Sequence, residues 1–417
     1  MMIRTGRRQF LRQAAGLTAL TTTVPGFLGK TTSAFADKVE PIPGLNDNHV
    51  LVVVQLAGGN DGLNTVVPHG DDRYYKARPK LGVDPQKVIK IDEHIGFHPE
   101  LAELKDLLDD GGLAVVQNVG YPNPDRSHFR SSEIWETAAP ADKAWTTGWV
   151  GRYFDSECAS VRSPVLGLQL GERPAQTFAS PHPRSVTLAN PAILDWPAAG
   201  PHSRAMERIN CVEPTGIAAL DFVQRTANDT LALSKRVRDA VHDTKSPVTY
   251  PPFEFSQSLK LVAQMIAAEL PTRVYYVSLT GFDTHAAQRN RHAALLQELS
   301  QGLATFHRDL KARGQLDRTL VLTFSEFGRR VAENKSAGTD HGTANVMFLA
   351  GGPVRAGLHG GRPDLGALDD SGDLVHKVDF RSVYAAVLRD WFGADATRIL
   401  DGRFEPSPVL RSTMSPA

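Results

Sequence analysis

Cysteine is scarce in this sequence. Only Cys158 and Cys211 occur among 417 residues. Two thiols exclude a zinc site built from thiolates alone, which takes three or four. They allow at most one disulfide, and a sequence does not show whether two Cα atoms approach within about 7 Å. One bridge and two buried free thiols therefore both stay open.

An excess of positive charge is also lacking, because 46 basic residues face 46 acidic ones. Proteins that bind nucleic acid usually carry a basic stripe, so we expect no nucleic-acid partner. No segment after the amino terminus approaches the run of about 20 apolar residues that a membrane span needs. We therefore expect no stable membrane span.

Three familiar motifs are absent. The sequence has no G-x-S-x-G elbow, no H-E-x-x-H pair and no G-x-G-x-x-G turn. These absences argue against an ordinary serine hydrolase, a zincin protease and a dinucleotide-binding enzyme.

The amino terminus has the pattern of a twin-arginine export signal. Arg7-Arg8-Gln9-Phe10-Leu11-Arg12 precedes a mildly apolar stretch without charge until Lys30, and Ala34-Phe35-Ala36 fits a cleavage site. The alternatives are an uncleaved anchor or a chance arginine pair. We interpret residues 1–36 as a signal read by the twin-arginine translocase. The folded protein is then periplasmic or secreted.

The remaining residues, 37–417, indicate one α/β domain. Short apolar runs without polar alternation are typical of buried parallel strands. They are Val50–Leu56, Leu113–Gln117, Val165–Gln169, Arg273–Leu279, Thr319–Phe324 and Asn345–Ala350. Helical patterns lie between them, as at Pro99–Asp109, Ala287–Arg313 and Asp379–Phe392. This alternation predicts a mostly parallel central sheet with helices on both faces. Residues 138–252 break the rhythm and are interpreted as an insertion or cap.

Ligands collect at the carboxyl ends of parallel strands, so the residues that follow each strand are the candidates. Asp61 follows the first strand in a Gly-Gly-Asn-Asp-Gly turn, and Asp283 and His285 follow the strand ending near Leu279. Glu326 follows Phe324. Each also has an ordinary interpretation as a turn or capping residue.

Asp340 and His341 form an adjacent pair before the run Asn345–Ala350. We predict His341 as a ligand, while Asp340 binds directly or orients a ligand. Carboxylates crowded on one rim repel each other unless a cation neutralises them. Imidazole nitrogen and carboxylate oxygen together suit zinc or manganese.

A different element precedes the helical pattern Arg130–Thr137. Ser127 stands where that helix would begin, between Arg126 and His128. The simple interpretation is an N-cap. The functional one is a nucleophile beside a helix N-terminus that favours an anion, with Arg126 as an anion clamp and His128 as a metal ligand or proton carrier.

Together these segments resemble the exported family known as domain of unknown function 1501. The resemblance rests on LVVVQLAGGNDGLNTVVP, RSHF, GFDTHAAQ, LTFSEFGRRV and GTDHGTANVMFLAGGPV, and it extends from about Val50 to Phe392. That family is in turn similar to the alkaline phosphatase and sulfatase superfamily. The resemblance implies an alkaline-phosphatase-like fold.

The resemblance also implies metal at strand ends and a nucleophile at a helix start. Asp61, Ser127 and His341 match superfamily positions, and Asp283 and His285 resemble its Asp/His pair. Where the superfamily commonly has Asp-His-Gly, this chain has Ser325-Glu326-Phe327-Gly328. Because a carboxylate stands there in place of a histidine, manganese and calcium are candidate ions as well as zinc. Neither cysteine lies in a Cys-x-Pro-x-Arg sulfatase setting.

The resulting hypothesis is an exported hydrolase of phosphate or sulfate esters. One or two divalent metal ions would be held by Asp61, Asp283, His285, Glu326, Asp340 and His341. Ser127 would be the nucleophile, and the partner would be a small-molecule or polymeric ester. The alternative is a degenerate superfamily member that acts as an envelope binding or assembly protein.

Overall fold

The computed structural model describes residues 48–159, 165–188, 236–239 and 242–411. All of these belong to one compact unit, which lies within residues 38–196 and 230–417. The predicted signal at 1–36 and Cys211 lie outside the described residues. Cys158 is a buried free thiol. Among the described helices, none has the length and apolar character that crossing a membrane requires.

The main sheet of the described chain has nine strands. Numbered in chain order they are β1 Val50–Ala57, β5 Leu113–Gly120, β6 Gly167–Leu170, β7 Ser185–Leu188, β8 Val274–Thr280, β9 Thr319–Phe324, β10 Asn345–Gly351, β11 Gly357–His359 and β12 Val378–Asp379. Their order in the sheet is β11-β5-β10-β9-β1-β8-β6-β7, and β12 also pairs with β5. A small second sheet contains β2 Val66–Val67, β3 Ile89–Lys90 and β4 Gly96–Phe97.

The sheet is mostly parallel, as predicted. β1 pairs in parallel with β8 and β9, β6 with β7 and β8, and β5 with β11 and β12. β10 is the exception, because it runs antiparallel to both β5 and β9. The prediction of a parallel strand there was wrong. Every residue of β10 is buried, and a uniformly apolar run carries no information about direction.

Helices cover both faces of the sheet. The described helices are α1 Gly62–Thr65, α2 Asp72–Ala77, α3 Ala102–Asp109, α4 His128–Thr137, α5 Trp149–Glu157, α6 Glu254–Ala267, α7 Gln288–Ala312, α8 Phe380–Ala386 and α9 Ala396–Leu400. Short 3₁₀ turns lie at Pro99–Leu101 and Gln176–Phe178, and a π turn at Val387–Trp391 continues α8.

Alternate residues of the central strand face opposite layers. Leu51 and Val53 of β1 share one buried cluster with α4, α5 and α8, which includes Trp135 and Tyr384. Val52 and Val54 are equally buried and face the other side, since successive strand residues point in opposite directions. On that side α6 packs on β8 and on α7. Because β1 is packed on both faces, its carboxyl end has a fixed position in the domain.

The segment predicted as an insertion begins as part of the sheet. β6 and β7 extend the edge beyond β8, and α5 packs into the main core cluster. Residues 138–159 and 165–188 are therefore structural parts of the domain. Most of the rest of the interval 138–252 lies outside the described residues.

Glu136 on α4 is a largely enclosed carboxylate against the sheet. Its Oε2 accepts a hydrogen bond from the Gln176 backbone N–H at 2.5 Å, and its Oε1 accepts one from the Tyr276 hydroxyl at 3.3 Å. Burial raises the pKa of Glu136 to about 7, although these hydrogen bonds act in the opposite direction. The folded protein therefore binds this proton more tightly than the unfolded chain does.

We expect Glu136 to make stability depend on pH. A raised pKa in the folded state contributes stability that is present below the unfolded pKa of 4.5 and is lost as pH rises through about 7. Glu136→Gln should therefore raise the free energy of unfolding by about 1–3 kcal/mol near pH 8 and leave it almost unchanged near pH 4. Urea unfolding of both proteins between pH 4 and pH 8 measures this difference in the free energy of unfolding. Glu133→Gln on the same helix is the control, and parallel pH profiles for wild type and Glu136→Gln would contradict the expectation.

Candidate functional site

A cluster of histidines and carboxylates lies at the carboxyl edge of the sheet. Loops after β8 and β9, the start of α4 and the segment before β10 supply its side chains. That last segment reaches the same edge because β10 is antiparallel, so its beginning lies where the parallel strands end. Four chain segments distant in sequence therefore meet at one place.

Asp283 is the centre of this cluster. Its Oδ1 lies 3.1 Å from His285 Nε2, 3.3 Å from His341 Nε2 and 3.5 Å from His128 Nε2. His128, Asp283 and His341 have ligand atoms that all lie within 4.8 Å of one another. The structure thus brings Asp283, His285 and His341 together with His128, for which the sequence left metal ligand and proton carrier open.

The opposite ring nitrogen of each histidine is held by an acceptor. His128 Nδ1 lies 2.8 Å from Glu326 Oε1, His285 Nδ1 lies 3.0 Å from Asp340 Oδ1, and His341 Nδ1 lies 2.7 Å from the carbonyl oxygen of Arg126. A carbonyl or carboxylate oxygen only accepts, so each Nδ1 carries the proton. In the neutral ring, Nε2 then carries the free lone pair.

Three lone pairs therefore point at one carboxylate oxygen. The closest pair, His285 Nε2 and His341 Nε2, is 2.9 Å apart. Such an arrangement is repulsive unless protons or a cation lie between the nitrogens. Metal-bound histidines almost always have their other nitrogen held by a carboxylate or carbonyl, as here. Three imidazole nitrogens and one carboxylate oxygen fit a zinc or manganese ion.

Two predicted ligands stand behind the histidines. Glu326 is buried, and its Oε1 also accepts a hydrogen bond from the Gly58 N–H at 2.8 Å. Asp340 also accepts a hydrogen bond from Asn334 at 3.1 Å. The bond from His285 lowers the pKa of Asp340, with a further contribution from Asn334. Each of these carboxylates therefore holds a histidine ring in place. This role was one of the two predicted for Asp340, whereas Glu326 was predicted only as a metal ligand.

Asp61 lies apart from the cluster. It caps α1 and is fully buried, with Arg78 Nη1 2.6 Å and Gln288 Nε2 2.5 Å from its Oδ2. Burial raises the pKa of Asp61, but the Arg78 charge and hydrogen bonds outweigh it and lower the pKa overall. Its charge is already compensated, and the structure gives it no contact with Asp283 or the three histidines.

Ser127 stands at the N-terminus of α4, as predicted. Its side chain is exposed and makes no capping hydrogen bond. Its backbone N–H donates to Asp125 Oδ1 at 2.6 Å. The predicted anion clamp is differently engaged, because the Arg126 guanidinium lies 2.5 Å from Asp373 Oδ2. Arg126 enters the cluster through its carbonyl group instead.

Arg329 is a central residue of the cluster that the sequence did not single out. Its side chain is fully buried, and Nη2 lies 2.9 Å from Asp283 Oδ1. Its remaining bonds go to the carbonyl oxygens of Gly58, Gly59, Phe282 and Thr339. Burial raises the pKa of Asp283, but the hydrogen bond and charge of Arg329 outweigh it, and the pKa is lowered to about 2. Asp283 is therefore a carboxylate at any physiological pH.

The turn after β1 has no room for side chains. A Cβ at Gly58 would lie 2.4 Å from the Asp283 nitrogen, and one at Gly59 would lie 2.3 Å from the Phe327 ring. Both glycines have positive φ, at 119° and 79°. The Phe327 ring in turn packs 4.3 Å from the His341 ring and 4.9 Å from the His128 ring. The paired glycines, predicted only as part of a turn, are the sequence feature that permits this close approach.

Fold and site together define an α/β protein with a candidate metal centre at the carboxyl edge of its sheet. The sequence matches the family described as "Protein of unknown function (DUF1501)" over residues 48–390. The chain belongs to that family. No curated protein matches the sequence significantly.

Several solved structures resemble the chain at low identity. The lipoteichoic acid synthase LtaP from Listeria monocytogenes is 9% identical, with 91% of this chain and 82% of that chain covered and a TM-score of 0.41. The zinc complex of the periplasmic domain of EcEptC from Escherichia coli is 11% identical, with 75% and 74% covered and a TM-score of 0.37. A protein in the alkaline phosphatase superfamily from Vibrio parahaemolyticus is 7% identical, with 81% and 71% covered and a TM-score of 0.36. Likenesses of this size support no conclusion about activity.

We expect the buried ion pair of Arg78 and Asp61 to matter far more for stability than an exposed one. Arg78→Met leaves the Asp61 carboxylate buried without its cation, which should lower the free energy of unfolding by about 3–5 kcal/mol. Arg73→Met removes a pair with Asp71 at the surface, where water screens the charges, and should lower the free energy of unfolding far less. Urea unfolding of the two variants makes the comparison, and equal losses would show that Asp61 does not depend on Arg78.

Proposed function

We propose that the protein is a metal-dependent hydrolase of phosphate or sulfate esters. The observation that carries the proposal is the convergence of three Nε2 lone pairs on Asp283 Oδ1, with every Nδ1 held by an acceptor. His128, Asp283, His285 and His341 would hold the metal. Glu326, Asp340 and the Arg126 carbonyl would orient the rings.

A divalent cation bound there would supply Lewis-acid stabilisation of negative charge on the ester and lower the pKa of an attacking hydroxyl. The chain's own residues supply the rest. Ser127 directly precedes His128, so its hydroxyl would be held beside the centre by the first turn of α4. Its oxygen would form the new bond to phosphorus or sulfur while the bond to the ester oxygen breaks, and the hydroxyl proton would pass to that oxygen so that the alcohol leaves. Water would then cleave the serine ester, releasing phosphate or sulfate and restoring the hydroxyl. Exposure of Ser127 supports access by a substrate.

Export of the folded protein remains a proposal. It rests on the twin-arginine pattern of residues 1–36, which lie outside the described part of the chain. The twin-arginine route transports folded proteins, so a periplasmic or secreted protein would bind its metal before transport. The twin-arginine translocase would then be the first partner.

One observation favours a second candidate function. The Arg126 guanidinium is occupied by Asp373, and Asp369 lies 3.8 Å away, so the expected anion clamp is not free. A centre that binds metal without a group to stabilise a transferring anion would suit an envelope binding or assembly protein. Hydrolysis assays decide between the two candidates.

We expect tight metal binding that depends on the converging histidines. The purified protein should bind zinc or manganese, and His128→Ala and His341→Ala should each weaken binding by at least about 10-fold, because each removes one nitrogen ligand. Calorimetric titration after treatment with a chelator measures this. His182→Ala is the matched control, since its ring pairs with Asp155 at 3.6 Å outside the cluster. A wild-type protein that takes up no metal would contradict the proposal.

We expect Ser127→Ala to abolish ester hydrolysis. With metal added, the wild type should hydrolyse an aryl phosphate or an aryl sulfate, and loss of the nucleophile should lower kcat by at least about 1,000-fold while metal affinity stays the same. Ser132→Ala on the same helix is the control. Unchanged kcat in Ser127→Ala would remove Ser127 from the mechanism. Metal binding without hydrolysis of either ester would favour the binding-protein candidate.

A further inference from the structure

We infer that the centre holds a single divalent cation, because two arginines occupy the carboxylates that a second cation would need. The inference rests on the metal binding proposed above and concerns only how many ions bind. It assigns Arg78 and Arg329 as fixed positive charges that take the place of a second ion.

The balance of charge favours one ion. Three carboxylates, Asp283, Glu326 and Asp340, touch the three histidines, and one guanidinium, Arg329, touches Asp283. With neutral histidines, one divalent cation brings this group to zero net charge. A second would leave an excess of two positive charges beside the Arg329 guanidinium, and like charges at such short range repel each other.

Arg329 cannot move aside to admit another ion. Its Nε, Nη1 and Nη2 atoms are all engaged, by the carbonyl oxygens of two glycines, Phe282 and Thr339 and by Asp283. The side chain is fully buried, so losing these bonds would leave several backbone oxygens unsatisfied. The guanidinium therefore keeps its place on one side of Asp283 Oδ1.

Asp61 is closed to metal in the same way. Its partner Arg78 also donates to the carbonyl oxygens of Val331 at 2.9 Å and Arg330 at 2.8 Å, and to Asn64 Oδ1 at 2.7 Å. Both members of the pair have fully buried side chains. A cation at Asp61 would have to displace a guanidinium that is fixed at four points.

Glu326 is a further buried carboxylate at the edge. Its Oε1 accepts from both His128 and the Gly58 N–H, and Ser325 Oγ lies 3.4 Å from its Oε2. A cation bound through Oε1 would displace His128 from the orientation that directs Nε2 to Asp283. Glu326 therefore serves the single centre rather than a second one.

The number of ions is measured directly. The full chain, loaded with zinc or with manganese and dialysed, is examined by native mass spectrometry and elemental analysis. Asp283→Asn, treated identically, shows how much metal binds elsewhere. The expected result is one ion per chain above that background. Two ions would overturn the inference and leave the proposed function standing, whereas none would defeat the proposed function itself.

A double variant tests whether Asp61 takes part. Asp61→Asn combined with Arg78→Met removes both charges together, so that neither is left buried alone. The double variant should still bind one ion, with a Kd within about 3-fold of wild type, while Asp283→Asn should weaken binding by at least about 100-fold. Loss of metal from a double variant that circular dichroism shows to be folded would overturn the inference. If that variant does not fold, the wild-type count decides alone.

Discussion

The buried guanidinium of Arg329 is the constraint on which the site depends. It binds main-chain oxygens in the turn after β1, the loop after β8 and the segment before β10, and it also holds Asp283. These segments are far apart in sequence, and each ends in a residue of the cluster or touches one. Because one rigid, planar group satisfies all of them, the distances between the loops are set before any ligand arrives.

Direction of one strand explains why His341 belongs to the site. A parallel β10 would have placed its preceding residues at the amino edge of the sheet, away from Asp283. The antiparallel strand instead begins at the carboxyl edge, and His341 lies 3.3 Å from Asp283. Sequence pattern located both residues and the strand itself, with bounds differing by one residue at Gly351. The sequence pattern does not indicate strand direction, because a buried apolar run is the same in a parallel and in an antiparallel strand.

Much of the sheet and three of the four residues at the candidate metal centre followed from the residues that flank each strand. Asp283 and His285 follow β8, His341 precedes β10, and the predicted Thr319–Phe324 has the observed bounds. Glu326 and Asp61 also follow strands, but Glu326 binds His128 and Asp61 binds Arg78. Their roles depend on Arg78 and on His128, and a sequence does not reveal which opposite charge folds against a given carboxylate. Arg329 was missed for the same reason, because its partners are mostly main-chain oxygens.

The bare backbone at Gly58 has an evolutionary consequence. Here the peptide chain of one loop lies against that of another, and Gly58 N–H binds Glu326 directly. A larger residue at position 58 would push the two loops apart and displace the Glu326 carboxylate that holds His128. We therefore expect position 58 to stay glycine in related sequences, while residues at the entrance to the cluster are free to vary.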